Sequence, residues 1–159
     1  MKKTKIIGIL IIIAALVCAF ASCGGGGVDK KGTATILVDN GGGDYTSYSV
    51  NLSEVEGEEG ALSLLEYLST KKGTDLYYTT QSGAYGAYMT GINALIPDPL
   101  SEYIAVYTNE EADFPVSTDS MAMPGVEYKD TELKYSGVGI SEMTVKDGTV
   151  IMFRLESFG

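Results

Sequence analysis

The sequence predicts an α+β fold, a mostly antiparallel sheet packed with one main helix, and three observations carry that expectation. Seven runs with strand patterning flank a single stretch of helical periodicity. Short turn signals such as "NGGGD" (40–44) and "VKDG" (145–148) separate them. The 127 residues from Thr33 to Gly159 suit one domain. No internal repeat interrupts this order.

The elements follow in turn. "TATILVDN" (33–40) is β-rich and runs into the glycine turn, and in "YTSYSVNL" (45–52) Tyr48, Val50 and Leu52 alternate with Ser47, Ser49 and Asn51. The two read as a hairpin. In the next stretch Ala61, Leu64, Leu65 and Leu68 fall at i, i+3, i+4 and i+7, one face of a helix. Glu58 and Glu59 suit its positive end, Lys71 and Lys72 its negative end, and Gly73 stops it. Strand patterning returns in "DLYYTTQ" (75–81), "AYMTGI" (87–92), "EYIAVYTN" (102–109), "VEYKDTELKYS" (126–136) and "TVIMFRLES" (149–157). A hairpin, a helix and further strands make the expected arrangement β-grasp-like.

The N-terminal residues speak to place. "MKK" leads into an apolar run that ends in "FASC", small residues before Cys23. This is the pattern of a bacterial lipoprotein signal over residues 1–22, with Phe20 where Leu or Val is usual and Cys23 as the acylated first mature residue. Several acyl chains, at roughly 0.8 kcal/mol per buried methylene, would anchor the chain to the membrane. "GGGGVDKKG" (24–32) then reads, with Cys23, as a flexible tether. The expected location is extracytoplasmic, on the bacterial cell membrane.

Cleavage would remove Lys2, Lys3 and Lys5, taking Lys and Arg from 11 to 8 against 21 acids, a net charge of −13. A surface so acidic repels phosphate backbones, so nucleic acid is not an expected partner. With Cys23 acylated and Cys18 lost, neither a disulfide nor cysteine chemistry is available.

Catalytic patterns are missing. The chain has no histidine, and Arg154 is its one arginine. That excludes histidine-based triads and the usual zinc sites, and no nucleophile elbow or phosphate-binding glycine loop is present. The acids cluster as "SEVEGEE" and "TNEEAD", runs that look solvated and lack calcium-loop spacing, so no enzyme, no metal and no required cofactor are expected. A weak carboxylate calcium site stays as an alternative.

The informative stretch is "YYTTQSGAYGAYMTGINAL" (77–95). Six of the eleven tyrosines lie between Tyr77 and Tyr107, with Met89 among them and no charge within the stretch. Tyrosine offers flat apolar area at low entropy cost together with a hydroxyl, the composition of a recognition surface. Glycine lets backbone approach a ligand closely. Tyr85, Gly86, Tyr88, Met89, Asn93 and Tyr107 are the candidate ligand-binding residues. Ordinary packing at the edge of a sheet is the competing account of these tyrosines, and Asn93 also suits a hairpin turn in which it would cap backbone.

The hairpin, "GALSLLEYL", "SGAYGAYMTGINAL" and "GVGISEMTVKDGTVIMFRLE" together resemble the transcobalamin-like C-terminal domain family over roughly Thr33 to Glu156. Gly91-Ile92-Asn93-Ala94 stands where the family shows "SING", with Gly91 and Ala94 as departures. Gly139 to Arg154 matches the closing motif, with Thr149 in place of the usual Asp and Leu155 where an aromatic is common. The resemblance implies a small α+β cap over cobalamin, although this chain lacks the helical barrel that such caps close against. Without histidine, a corrinoid would be held by apolar contacts and amide hydrogen bonds from Tyr85, Tyr88, Met89 and Asn93. The implied function is non-catalytic capture of a corrinoid or other small ligand for a membrane transporter, and the alternative is a protein–protein module of a cell-surface assembly.

Overall fold

The computed structural model describes residues 26–71, 73–116 and 123–158. The signal expected over 1–22 and the acylation expected at Cys23 lie outside them.

Strand β1 (Thr33–Gly41) turns at three positive-φ glycines into β2 (Asp44–Asn51), as expected. In β1, Ile36, Leu37 and Val38 are all buried, because both faces of the strand are covered. Helix α1 (Gly60–Thr70) buries Ala61, Leu64, Leu65 and Leu68, the four residues its periodicity singled out. Strands β3 (Tyr78–Gly83) and β4 (Gly86–Ile92) form a separate two-stranded hairpin. There follow β5 (Glu102–Thr108), a short hairpin of β6 (Val126–Tyr128) and β7 (Thr131–Tyr135), and β8 (Val150–Ser157).

Six strands make one sheet in the order β2-β1-β8-β5-β7-β6. Its pairings are antiparallel except β1 with β8, which run parallel with Ile36 opposite Ile151. The sheet is therefore mixed, and the last strand sits between the first and the fifth. The predicted run 126–136 is two strands joined by Lys129 and Asp130, both in the left-handed region.

Alternation sorts the core into two layers. Ile36, Val38, Ile151 and Phe153 face α1 and the β3–β4 hairpin, meeting Leu64, Leu65, Met89 and Ile92. Leu37, Ala105, Tyr107 and Met152 face the other way and are covered by Val126 and Leu133 of the β6–β7 hairpin. The six-stranded sheet thus has a core on each face.

The segment 26–32, expected to be a free tether, lies on this body. Val28 is buried and bridges Val145, Gly26 N–H donates to Glu142 O, and Asp29 N–H donates to Val145 O. The Lys30 ammonium donates to the carbonyls of Val55, Glu56 and Gly57, the loop that leads into α1. The folded body thus extends to Gly26.

One acidic run also departs from its expected solvated state. Glu110 and Asp113 are buried. Glu110 accepts from the Thr149 hydroxyl at 2.6 Å and pairs with Lys146 at 2.6 Å, and Asp113 accepts the Thr144 N–H with both carboxylate oxygens. These two acids tie the 109–114 loop to the turn before β8.

Candidate functional site

The β3–β4 hairpin carries the tyrosine- and glycine-rich stretch, and its turn is Ala84–Tyr85, between Gly83 and Gly86. Gly86 has φ +100°, which is why a glycine stands there. Past β4, the segment 139–141 runs alongside the strand. Gly139 N–H donates to Tyr85 O and Ile140 N–H to Ala87 O, each at 2.7 Å, while Ala87 N–H donates to Ser141 Oγ. A Cβ on Gly139 would fall 2.6 Å from Tyr85 O and 2.7 Å from Ala87 O, so only glycine permits this approach.

Between this hairpin, β5 and the 135–140 segment lies a cleft of about 520 Å³. Tyr85 and Tyr88 wall it, Met89, Ile104 and Val106 floor it, and the chain from Tyr135 to Gly139 forms its rim. Tyr85 is 80% exposed and Tyr88 46%, so both rings are free to meet a ligand. Met89 is only 4% exposed and presents one edge to the cleft while it packs in the core. None of the lining side chains carries a charge at neutral pH. The Tyr135 ring itself lies opposite Tyr107 across the β5–β7 pairing and packs in the second core layer, where burial pushes its phenol above the ordinary value. Ser136 Oγ is engaged with the backbone of Val138 and shapes the rim.

Four predicted residues therefore come together here: Tyr85, Gly86, Tyr88 and Met89. Two do not. Asn93 sits at φ +50° in the turn after β4, accepts the Tyr77 N–H and donates to the Tyr48 hydroxyl, the backbone-capping role its residue type allows. Tyr107 is 1% exposed in the second core layer, edge-on to Tyr135 at 6.1 Å, with its hydroxyl donating to Glu156 at 3.0 Å. It points away because β5 alternates: Ile104 and Val106 face the cleft and Tyr107 faces the opposite layer.

The Gly137-Val138-Gly139 rim was missed by reading the sequence. The signal for it was "SGVG", two glycines one residue apart in a chain that spends glycine on turns and close approaches. Among the described residues, no group of three or more cysteine or carboxylate side chains comes together to hold a metal ion.

No protein-family model matches the chain, and no curated protein matches it. Among solved structures, the crystal structure of a proposed metal-binding protein from Ruminococcus gnavus aligns with a TM-score of 0.52. The two chains are 12% identical, over 81% of this chain and 100% of the other. That likeness is one of fold alone.

Proposed function

We propose that this chain is a membrane-anchored, non-catalytic binding protein whose tyrosine-walled cleft takes a flat, weakly polar ligand of the corrinoid type. The observation that carries the reading is an uncharged cleft of about 520 Å³ with two exposed tyrosine rings at its mouth. Pockets in this size range hold small molecules by apolar contact and a few placed polar groups. A cleft of this size covers one face or edge of a macrocycle without engulfing it, which is how a cap works. The resemblance to the transcobalamin-like C-terminal domain family supports the same reading. So does the strand order β2-β1-β8-β5 with β1 parallel to β8 and one helix across the face, which we read as β-grasp-like.

Titrating the purified, detergent-solubilised chain with cobinamide and cobalamin by calorimetry tests it. The expected result is saturable heat that Tyr85→Ala with Tyr88→Ala removes. Absence of heat and of tryptic protection at high micromolar ligand would sink the corrinoid reading.

Exposure of Tyr77 outside the cleft, at 62%, favours one rival, a protein–protein module. In that case crosslinking on intact cells captures a protein partner that the double tyrosine variant loses, with no small-molecule affinity. A carboxylate calcium site predicts instead a melting temperature raised by calcium and lowered by EDTA.

A further inference from the structure

The docked N-terminal segment sets how the body is held. Gly26 lies against Glu142, and with Tyr85, Gly86, Ala84, Ala112 and Val138 it lines a second hollow of about 470 Å³ beside the hairpin tip. Three peptide units join Cys23 to Gly26, and a chain can span no more than about 3.6 Å per residue, or about 11 Å in all. The polar layer of one leaflet is itself only about 5–8 Å deep. If Cys23 carries the lipid, Gly26 and everything packed beside it lie at the headgroups.

We propose that the β3–β4 hairpin tip, Ala84–Tyr85, rests on the surface of the bilayer that holds this chain's own anchor, so that the cleft opens at the membrane. The inference rests on the anchored reading above. Tyr85 has the side chain for that position, an apolar ring with a polar end that settles at the membrane–water boundary. Exposed Glu142 flanks the tip and would repel anionic headgroups, so the anchor and the ring make the contact, not charge attraction. The far end of the molecule is well separated. β1 leads away from Thr33 for nine residues to the β1–β2 turn, about 26 Å further along at strand rise.

The test uses the full acylated chain in phosphatidylcholine vesicles containing a headgroup-nitroxide lipid. A fluorophore is placed on Ala84→Cys or, at the far turn, on Asp44→Cys. The expected result is at least twofold stronger quenching at 84 than at 44. A third chain combines Ala84→Cys with Gly26→Ala, whose Cβ would fall 1.9 Å from Glu142 O and so undock the segment. There the excess quenching at 84 should shrink. Equal quenching at 84 and 44, or no effect of Gly26→Ala, overturns the orientation. Failure of the chain to partition with vesicles, together with dye reaction at Cys23, sinks the anchored reading itself and is seen before any quenching is measured.

Discussion

Single residues separate the cleft from the core. Tyr85→Ala should cost under about 1 kcal/mol of stability because its ring is exposed, and a denaturant midpoint close to the wild type would show it. Leu65→Ala should cost about 2–5 kcal/mol, since that side chain is fully buried between α1 and the sheet. Gly139→Ala should cost about 1–3 kcal/mol, since its Cβ has backbone oxygens on two sides, and should weaken ligand heat as the rim shifts. Tyr107→Phe removes a hydrogen bond to Glu156 and should cost about 1–2 kcal/mol without touching ligand affinity. Tyr85 and Tyr107 show why a tyrosine count could not settle a site. The residue type states an appetite for apolar contact, whereas the side of the strand states whether the rest of the protein or a ligand satisfies it.

At the scale of elements, α1 and the β1–β2 hairpin were legible because their periodicities, 3.6 and 2, are local. The β6–β7 hairpin was not. Its two-residue loop needs positive φ at both positions, and the usual Asn-Gly or Asp-Gly signal is replaced by Lys129-Asp130. The Lys129 ammonium lies 5.2 Å from the Tyr128 ring centroid, a contact that favours keeping that residue. Asp130→Gly should therefore stabilise the protein by about 0.5–1 kcal/mol, read as a raised melting temperature. The docking of 26–32 was hidden for a different reason. Glycine runs read as leash, and it takes the carbonyls of Val55, Glu56 and Gly57, far along the chain, to give Lys30 a place to bind.

For the whole molecule, pH reaches the fold through Asp113. Burial raises its carboxyl above the ordinary value, against hydrogen bonds from Thr144 that lower it. The folded state thus holds this proton more tightly than the unfolded chain does. Stability from this site is present below the unfolded value, near 4, and is lost as pH rises through the higher folded value. Wild type should accordingly lose stability relative to Asp113→Asn across that interval, and paired melting curves from pH 3.5 upward would reveal it. A constant gap between the two would count against the assignment. Sheet order lay beyond sequence reading altogether, because the parallel partnership of β1 and β8 joins segments more than a hundred residues apart.

That partnership has a consequence for the export that the proposed anchored state requires. β8, at residues 150–157, is flanked by β1 on one side and β5 on the other, so neither neighbour has its inner partner until those residues arrive. If the chain is threaded outward from its N-terminus, it would stay slack enough for a narrow conduit until residues 150–157 had passed. Its sheet would snap shut only on the far side.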